Sequence, residues 1–174
     1  MNIKNSLDIY FSKLEKLYRK EFGTLPSISW DESLNKSLFV SEPDEDGEVQ
    51  WKPKVADHIT VSGLCDELSS FYSSYYYWEL RGKYKNDLYI DFPPIWSKQE
   101  AYHIIQTSID DGNYYFKGQN TVLLAYCSQY GNDDLLMFYR QDTGEIFLYD
   151  TDKRFIYPLN VSLAELISSM EALI

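Results

Sequence analysis

The side chains that could do chemistry are few and scattered. His58 and His103 are the only histidines, and they fall on separate segments. A Ser-His-Asp relay needs an oriented base beside a marked nucleophile, and no G-x-S-x-G accompanies either ring. His103, between Tyr102 and Ile104, reads as a solvent-edge or structural histidine. The phosphate-cradling G-x-x-x-x-G-K-[ST], the dinucleotide-binding G-x-G-x-x-G and the zinc-binding H-E-x-x-H do not occur. Cys65 and Cys127 are too far apart in sequence for a C-x-x-C zinc or redox motif, and both lie in apolar segments. They read as buried free thiols, which suits a reducing compartment.

Carboxylates are the abundant reactive group. The run Glu42-Pro43-Asp44-Glu45-Asp46-Gly47 invites comparison with a calcium loop, whose sixth residue is Gly. With Gly47 sixth, the twelfth residue is Pro53 where a bidentate Glu is required, and Glu42 stands first instead of Asp. The run therefore reads as a solvated loop. Asp110-Asp111 and Asp133-Asp134 are paired carboxylates, but acid–base work needs burial that drives two pKa values apart. Both pairs lie in polar stretches and are assigned to turns or to an acidic face, where Asp133 and Asp134 are candidates for contact with a partner protein. No metal or cofactor is expected.

The elements that must carry these groups can be read from periodicity. Leu7, Tyr10, Phe11, Leu14, Leu17 and Tyr18 recur at helical spacing, and Gly23 and Pro26 close that helix. Residues 37–40 and 49–51 read as short strands joined by the acidic tip 41–48. A second helix is expected over 61–78, broken by Arg81-Gly82-Lys83. Its run Phe71-Tyr72-Ser73-Ser74-Tyr75-Tyr76-Tyr77-Trp78 has more aromatics than one buried stripe holds. The surplus either packs under a neighbouring strand or forms a contact surface. Leu88-Tyr89-Ile90-Asp91-Phe92 alternates as a strand and Pro93-Pro94 stops it. Ser97 and Glu100 cap a third helix that Asp110-Asp111-Gly112 closes. Strands at 121–127, 135–140 and 145–150 are separated by turns at 131–134 and 142–144. Ser162 and Glu165 open a last helix carrying Leu163, Leu166, Ile167, Met170 and Leu173. The expected class is α+β, an antiparallel sheet flanked by helices, in one domain over 1–174.

Charge narrows the function. The 174 residues carry 16 Lys+Arg against 27 Asp+Glu, for −11. Residues 1–40 hold six basic and five acidic side chains, and residues 41–174 hold ten and 22, so the excess lies wholly in the second part. Such a surface repels nucleic-acid phosphates and anionic lipid and attracts basic partners. With no apolar signal core after Met1 and no run of 18 apolar residues, the chain is expected in the cytoplasm, without direct lipid insertion.

In order along the chain, several segments resemble the Syd family, the SecY-interacting proteins of the SUKH superfamily. They are the N-terminal helix, Val49-Gln50-Trp51-Lys52-Pro53, Leu68-Ser69-Ser70-Phe71-Tyr72, Asn86-Asp87-Leu88-Tyr89-Ile90, Ile95-Trp96-Ser97, Asp142-Thr143-Gly144-Glu145-Ile146 and the closing Leu-rich helix. The resemblance implies a non-enzymatic cytosolic protein that docks through an acidic concave surface on basic cytoplasmic loops of the SecY channel. It would monitor the channel's assembly and reach the inner membrane only through that partner. Glu79 and Asp87 stand at positions that look acidic in the family and are the first candidates for the concavity; the 42–48 loop is the weaker one. Other SUKH members resemble immunity proteins that neutralise polymorphic toxins, often basic nucleases, and acidic charge fits them equally. A hydrolase with an unmarked site is the third reading.

Overall fold

The computed structural model describes residues 2–174. Helix α1 (Ile3–Phe22) starts where the Asn2 side chain accepts from the Asn5 N–H at 2.8 Å. It buries the stripe Ile3, Leu7, Tyr10, Phe11, Leu14 and Tyr18. Then follow β1 (Ser27–Ser29), a 3-10 turn (Lys36–Leu38), β2 (Glu48–Gln50), β3 (Lys54–Val55), α2 (Asp66–Tyr72) and β4 (Tyr75–Tyr76). Next come β5 (Leu80–Tyr84), β6 (Leu88–Phe92), α3 (Lys98–Tyr115), β7 (Thr121–Gln129), β8 (Asn132–Arg140), β9 (Glu145–Asp150) and β10 (Phe155–Pro158). The last elements are α4 (Leu163–Ser169) and β11 (Glu171–Ala172). Seven strands form one antiparallel sheet in the order β10-β9-β8-β7-β6-β5-β11, and β1-β2 and β3-β4 pair apart from it. The class is α+β, with helices flanking an antiparallel sheet.

Alternation along the strands divides the sheet into two faces. Val122, Leu124, Leu135, Met137, Tyr139, Ile146 and Leu148 face the main core, which α1, α2 and α4 complete with Leu7, Leu14, Phe71, Leu163 and Ile167. Leu123, Phe138 and Phe147 face the other way and are covered by Phe116, just past α3. Tyr10 docks α1 on β5: its hydroxyl donates to the Arg81 carbonyl at 2.7 Å and accepts from the Arg81 N–H at 3.0 Å.

Several sequence expectations change. The second helix is α2 alone. Ser74 donates its hydroxyl to the Ser70 carbonyl at 2.6 Å and Ser73 bonds to Ile59, so the two serines divert the chain from the helix. The Tyr75-Tyr76 pair then forms β4 against Lys54-Val55, as aromatics favour. Tyr76, Tyr77 and Trp78 are buried, so the aromatic surplus is core and not a contact surface. Arg81-Gly82-Lys83 is no break but the middle of β5. Gly82 is there because a Cβ would come within 2.6 Å of the Glu171 carbonyl oxygen on β11. Strand β2 pairs with β1, and residues 38–40 meet 50–52 only around the Phe39–Trp51 bridge. Helix α3 runs three residues past Gly112, taking Asp110-Asp111 out of any turn. The β7–β8 connection is Tyr130-Gly131, both at positive φ, so Asp133 and Asp134 belong to β8. The last helix stops at Ser169, and β11 pairs with β5.

Candidate protein-binding site

Glu79 lies between β4 and β5, in a cleft of 590 Å³. The end of α1 supplies Tyr18 and Phe22 to this cleft, β1 supplies Ser27, Ile28 and Ser29, and Ile174 closes one side. Asp44, Asp46 and Glu48 complete the rim, so four carboxylates face one cation, Arg81. The acidic loop read as a separate, weaker candidate is therefore part of the same concavity as Glu79. It is also tied down: the Asp44 carboxylate accepts from the Asp46 N–H at 3.0 Å and the Glu48 N–H at 2.9 Å. Phe22 and Ile174 are more than a third exposed, so the acidic rim surrounds open apolar surface.

Within the cleft Glu79 is the most enclosed acid, with 13% of its side chain exposed. Its carboxylate meets the Arg81 guanidinium at 2.9 Å, and the Tyr18 hydroxyl donates to it at 3.5 Å. Burial raises its pKa above the ordinary 4.5, against the opposing pull of Arg81 and Tyr18. Burial and the adjacent Glu79 charge push Tyr18 up to about 12, so the phenol keeps its proton.

Asp87 is elsewhere. It sits in the β5–β6 turn at φ +57, beyond the opposite end of β5 from Glu79. Lys83 ion-pairs with it and the Tyr130 hydroxyl donates to it at 2.5 Å; these two partners hold its carboxyl below the usual range. Its neighbours across a shallow recess are Lys83, Ser169 and Glu171. Glu79 and Asp87 thus do not line one concavity, because the five-residue strand between them holds them apart.

Asp133 lines a third recess, of 420 Å³, with Arg81, Tyr89, Asp91, Tyr126 and Leu173. Between the pairs Cys127–Leu135 and Gln129–Asn132, β8 carries Asp133 and Asp134 against the single residue Ser128, a β-bulge. Asp134 accepts from Thr151 through its backbone carbonyl and stays exposed. Asp91 and Arg81 were not singled out by the sequence reading. The alternation of 88–92 was the available signal, since it puts Tyr89 and Asp91 on one face.

The remaining candidates stay apart. His58 and His103 are exposed, and His58 bonds to the Thr60 hydroxyl at 3.1 Å. Cys127 is buried, with its thiol pushed far up by desolvation, and Cys65 is half-buried before α2. Among the described residues, no three His, Cys, Asp or Glu side chains come together as a metal site, and no helix is long and apolar enough to cross a membrane. A fourth cleft, of 510 Å³, has Asp150 at its end. That carboxylate is held below the usual range by the Lys153 N–H and side chain and by Asn132, which makes it the anchor of the β9–β10 turn. No protein-family model matches the chain, and no curated protein is significantly similar to it.

Proposed function

We propose that this protein acts by binding a basic segment of a partner protein in the Glu79 cleft, with no chemical step of its own. The observation that carries this reading is the composition of the cleft: four carboxylates and one already-paired arginine around exposed Phe22 and Ile174. Cationic side chains would answer the rim and apolar ones the floor, the division of labour common in interfaces. The Asp44 turn supports it further, because a rim held by its own backbone loses little entropy when a partner docks.

The resemblance to the Syd family supplies the candidate partner, the basic cytoplasmic loops of SecY, and with it a peripheral place at the inner membrane. The test is binding to SecY-enriched membrane vesicles at increasing sodium chloride. Affinity should fall as salt screens charges beyond about 8–10 Å. Asp46→Lys with Glu48→Lys should weaken binding far more than Glu32→Lys with Asp110→Lys, which changes net charge equally on exposed sites outside the cleft. Equal losses would remove the cleft from the account, and salt-independent affinity would remove electrostatics. Binding to a basic nuclease toxin in place of the vesicles would transfer the reading to an immunity role.

A further inference from the structure

The sheet face opposite the main core is only half covered. Over β8 and β9, Phe116 lies 5.0 Å from Phe138 and 5.2 Å from Phe147, and Tyr115 lies 5.6 Å from Tyr149, centroid to centroid. Over β5, β6 and β7 the same face is open enough that Tyr89 and Tyr126 stand 44% and 55% exposed. Strand register fixes what surrounds them. Asp91 sits directly between Arg81 on β5 and Tyr126 on β7, and Tyr89 is two residues away on the same side. The β8 bulge brings Asp133 to the same recess. Among the described residues neither Asp91 nor Asp133 forms an ion pair, and Arg81 is committed to Glu79 at 2.9 Å.

We propose that Tyr89, Asp91, Tyr126 and Asp133 seat one lysine or arginine side chain of the partner segment, alongside the Glu79 cleft and separated from it by Arg81. This rests on the reading of the cleft as the site for a basic segment. A cation in the recess meets two carboxylates that form no ion pair, Asp91 having only Arg81, already bound to Glu79, across from it. It can also lie against two phenol rings, whose faces attract cations. Arg81 lines both the recess and the cleft, so one segment can occupy the two together. Desolvation already raises the Asp91 carboxyl, and an arriving cation would relieve that.

The test uses the intact protein and a fluorescent peptide of lysine and leucine, followed by polarisation. Asp91→Asn and Tyr126→Ala should each weaken binding about fivefold to twentyfold, the range of one cation–π contact with its ion pair. Tyr126→Phe, which keeps the ring, should bind like the parent and guards against a folding artefact. Tyr89 and Tyr126 ring resonances should shift on adding peptide and stay unmoved with a norleucine-for-lysine control. If both face variants bind like the parent while Asp46→Lys with Glu48→Lys loses affinity, the seat is overturned and the cleft stands. If none of these variants loses affinity, both readings fall.

Discussion

Gly112 shows how much one missing methyl group can decide. It lies inside α3, where glycine is normally a liability, and a Cβ there would come within 1.9 Å of the Thr121 carbonyl oxygen. The contact is backbone, so no side chain can swing aside; either α3 or β7 must move. The Thr121 hydroxyl donates to the Gly112 carbonyl at 3.1 Å, locking the same close approach with a second contact from the same residue. Gly112→Ala is expected to cost about 1–3 kcal/mol or more, as overpacking does. For a chain of this size that lowers the melting temperature by roughly 3–10 °C. Calorimetric unfolding of the variant checks it; an unchanged midpoint would mean the helix and strand slide apart freely. From sequence the same glycine reads as a helix stop. Asp-Asp-Gly has the composition of a stop, and only the approach of a strand nine residues on gives it a different purpose.

Among the elements, β10 carries the exposed edge of the large sheet. The Leu159 N–H donates to the Ile146 carbonyl at 3.0 Å, so alternation turns the backbone groups of Tyr157 and Phe155 inward and those of Ile156 and Pro158 outward. Proline has no N–H to offer, and the outward edge is left with little to pair. Phe155, Ile156 and Tyr157 are all more than a third exposed, so this is an edge that needs such blunting. Pro158→Thr restores a donor and is expected to shift the protein towards larger species at high concentration. Light scattering across a concentration series reads this; profiles identical to the parent would show that the edge is protected by something else. The elements also differ in how openly the sequence displayed them. β6 was readable because it alternates, and β7 through β9 because they are apolar runs separated by Gly- and Asp-containing turns. β10 alternates nothing, being exposed at every residue, and β11 is two residues long. The α2–β4 segment was misread because Tyr and Phe at helical spacing also suit a strand, and the choice lay with Ser73 and Ser74. The same limits held for the site. Glu79 is a candidate from sequence, but its neighbours Asp44, Asp46 and Glu48 come from a loop whose closeness only the β1–β2 pairing creates. Asp87, chosen beside it, is taken up by Lys83.

At the scale of the molecule, acids dominated by desolvation and acids held by hydrogen bonds and ion pairs respond to pH in opposite directions. Glu79 has a raised pKa, so its contribution to folding is present below the ordinary 4.5 and is lost as pH rises through its folded value. Asp87 and Asp150 have depressed pKa values; their contribution is present above the ordinary carboxylate value and is lost as pH falls through the folded one. A cation docking in the cleft favours ionised Glu79, so binding should release a proton and weaken as pH falls through the raised Glu79 value, above 4.5. Titration calorimetry in two buffers of different ionisation enthalpy measures that proton, and Glu79→Gln should abolish it; release that persists in the variant would place it on another group. A different consequence follows from the way the chain closes on itself. Lys13 of α1 donates to the Ser168 and Met170 carbonyls at 2.6 and 3.1 Å, and β11 completes the sheet beside β5. Tyr10 and Phe11 meet partners from residues 51–81, but the rest of the inner side of the first helix waits for residues near 170. A nascent chain leaving the ribosome must keep part of α1 and the β5 edge bare until the residues near 170 have followed. Arrest before α4 emerges should leave a chain that chaperones hold and proteases cut, and the passage to a finished molecule should come as one late step.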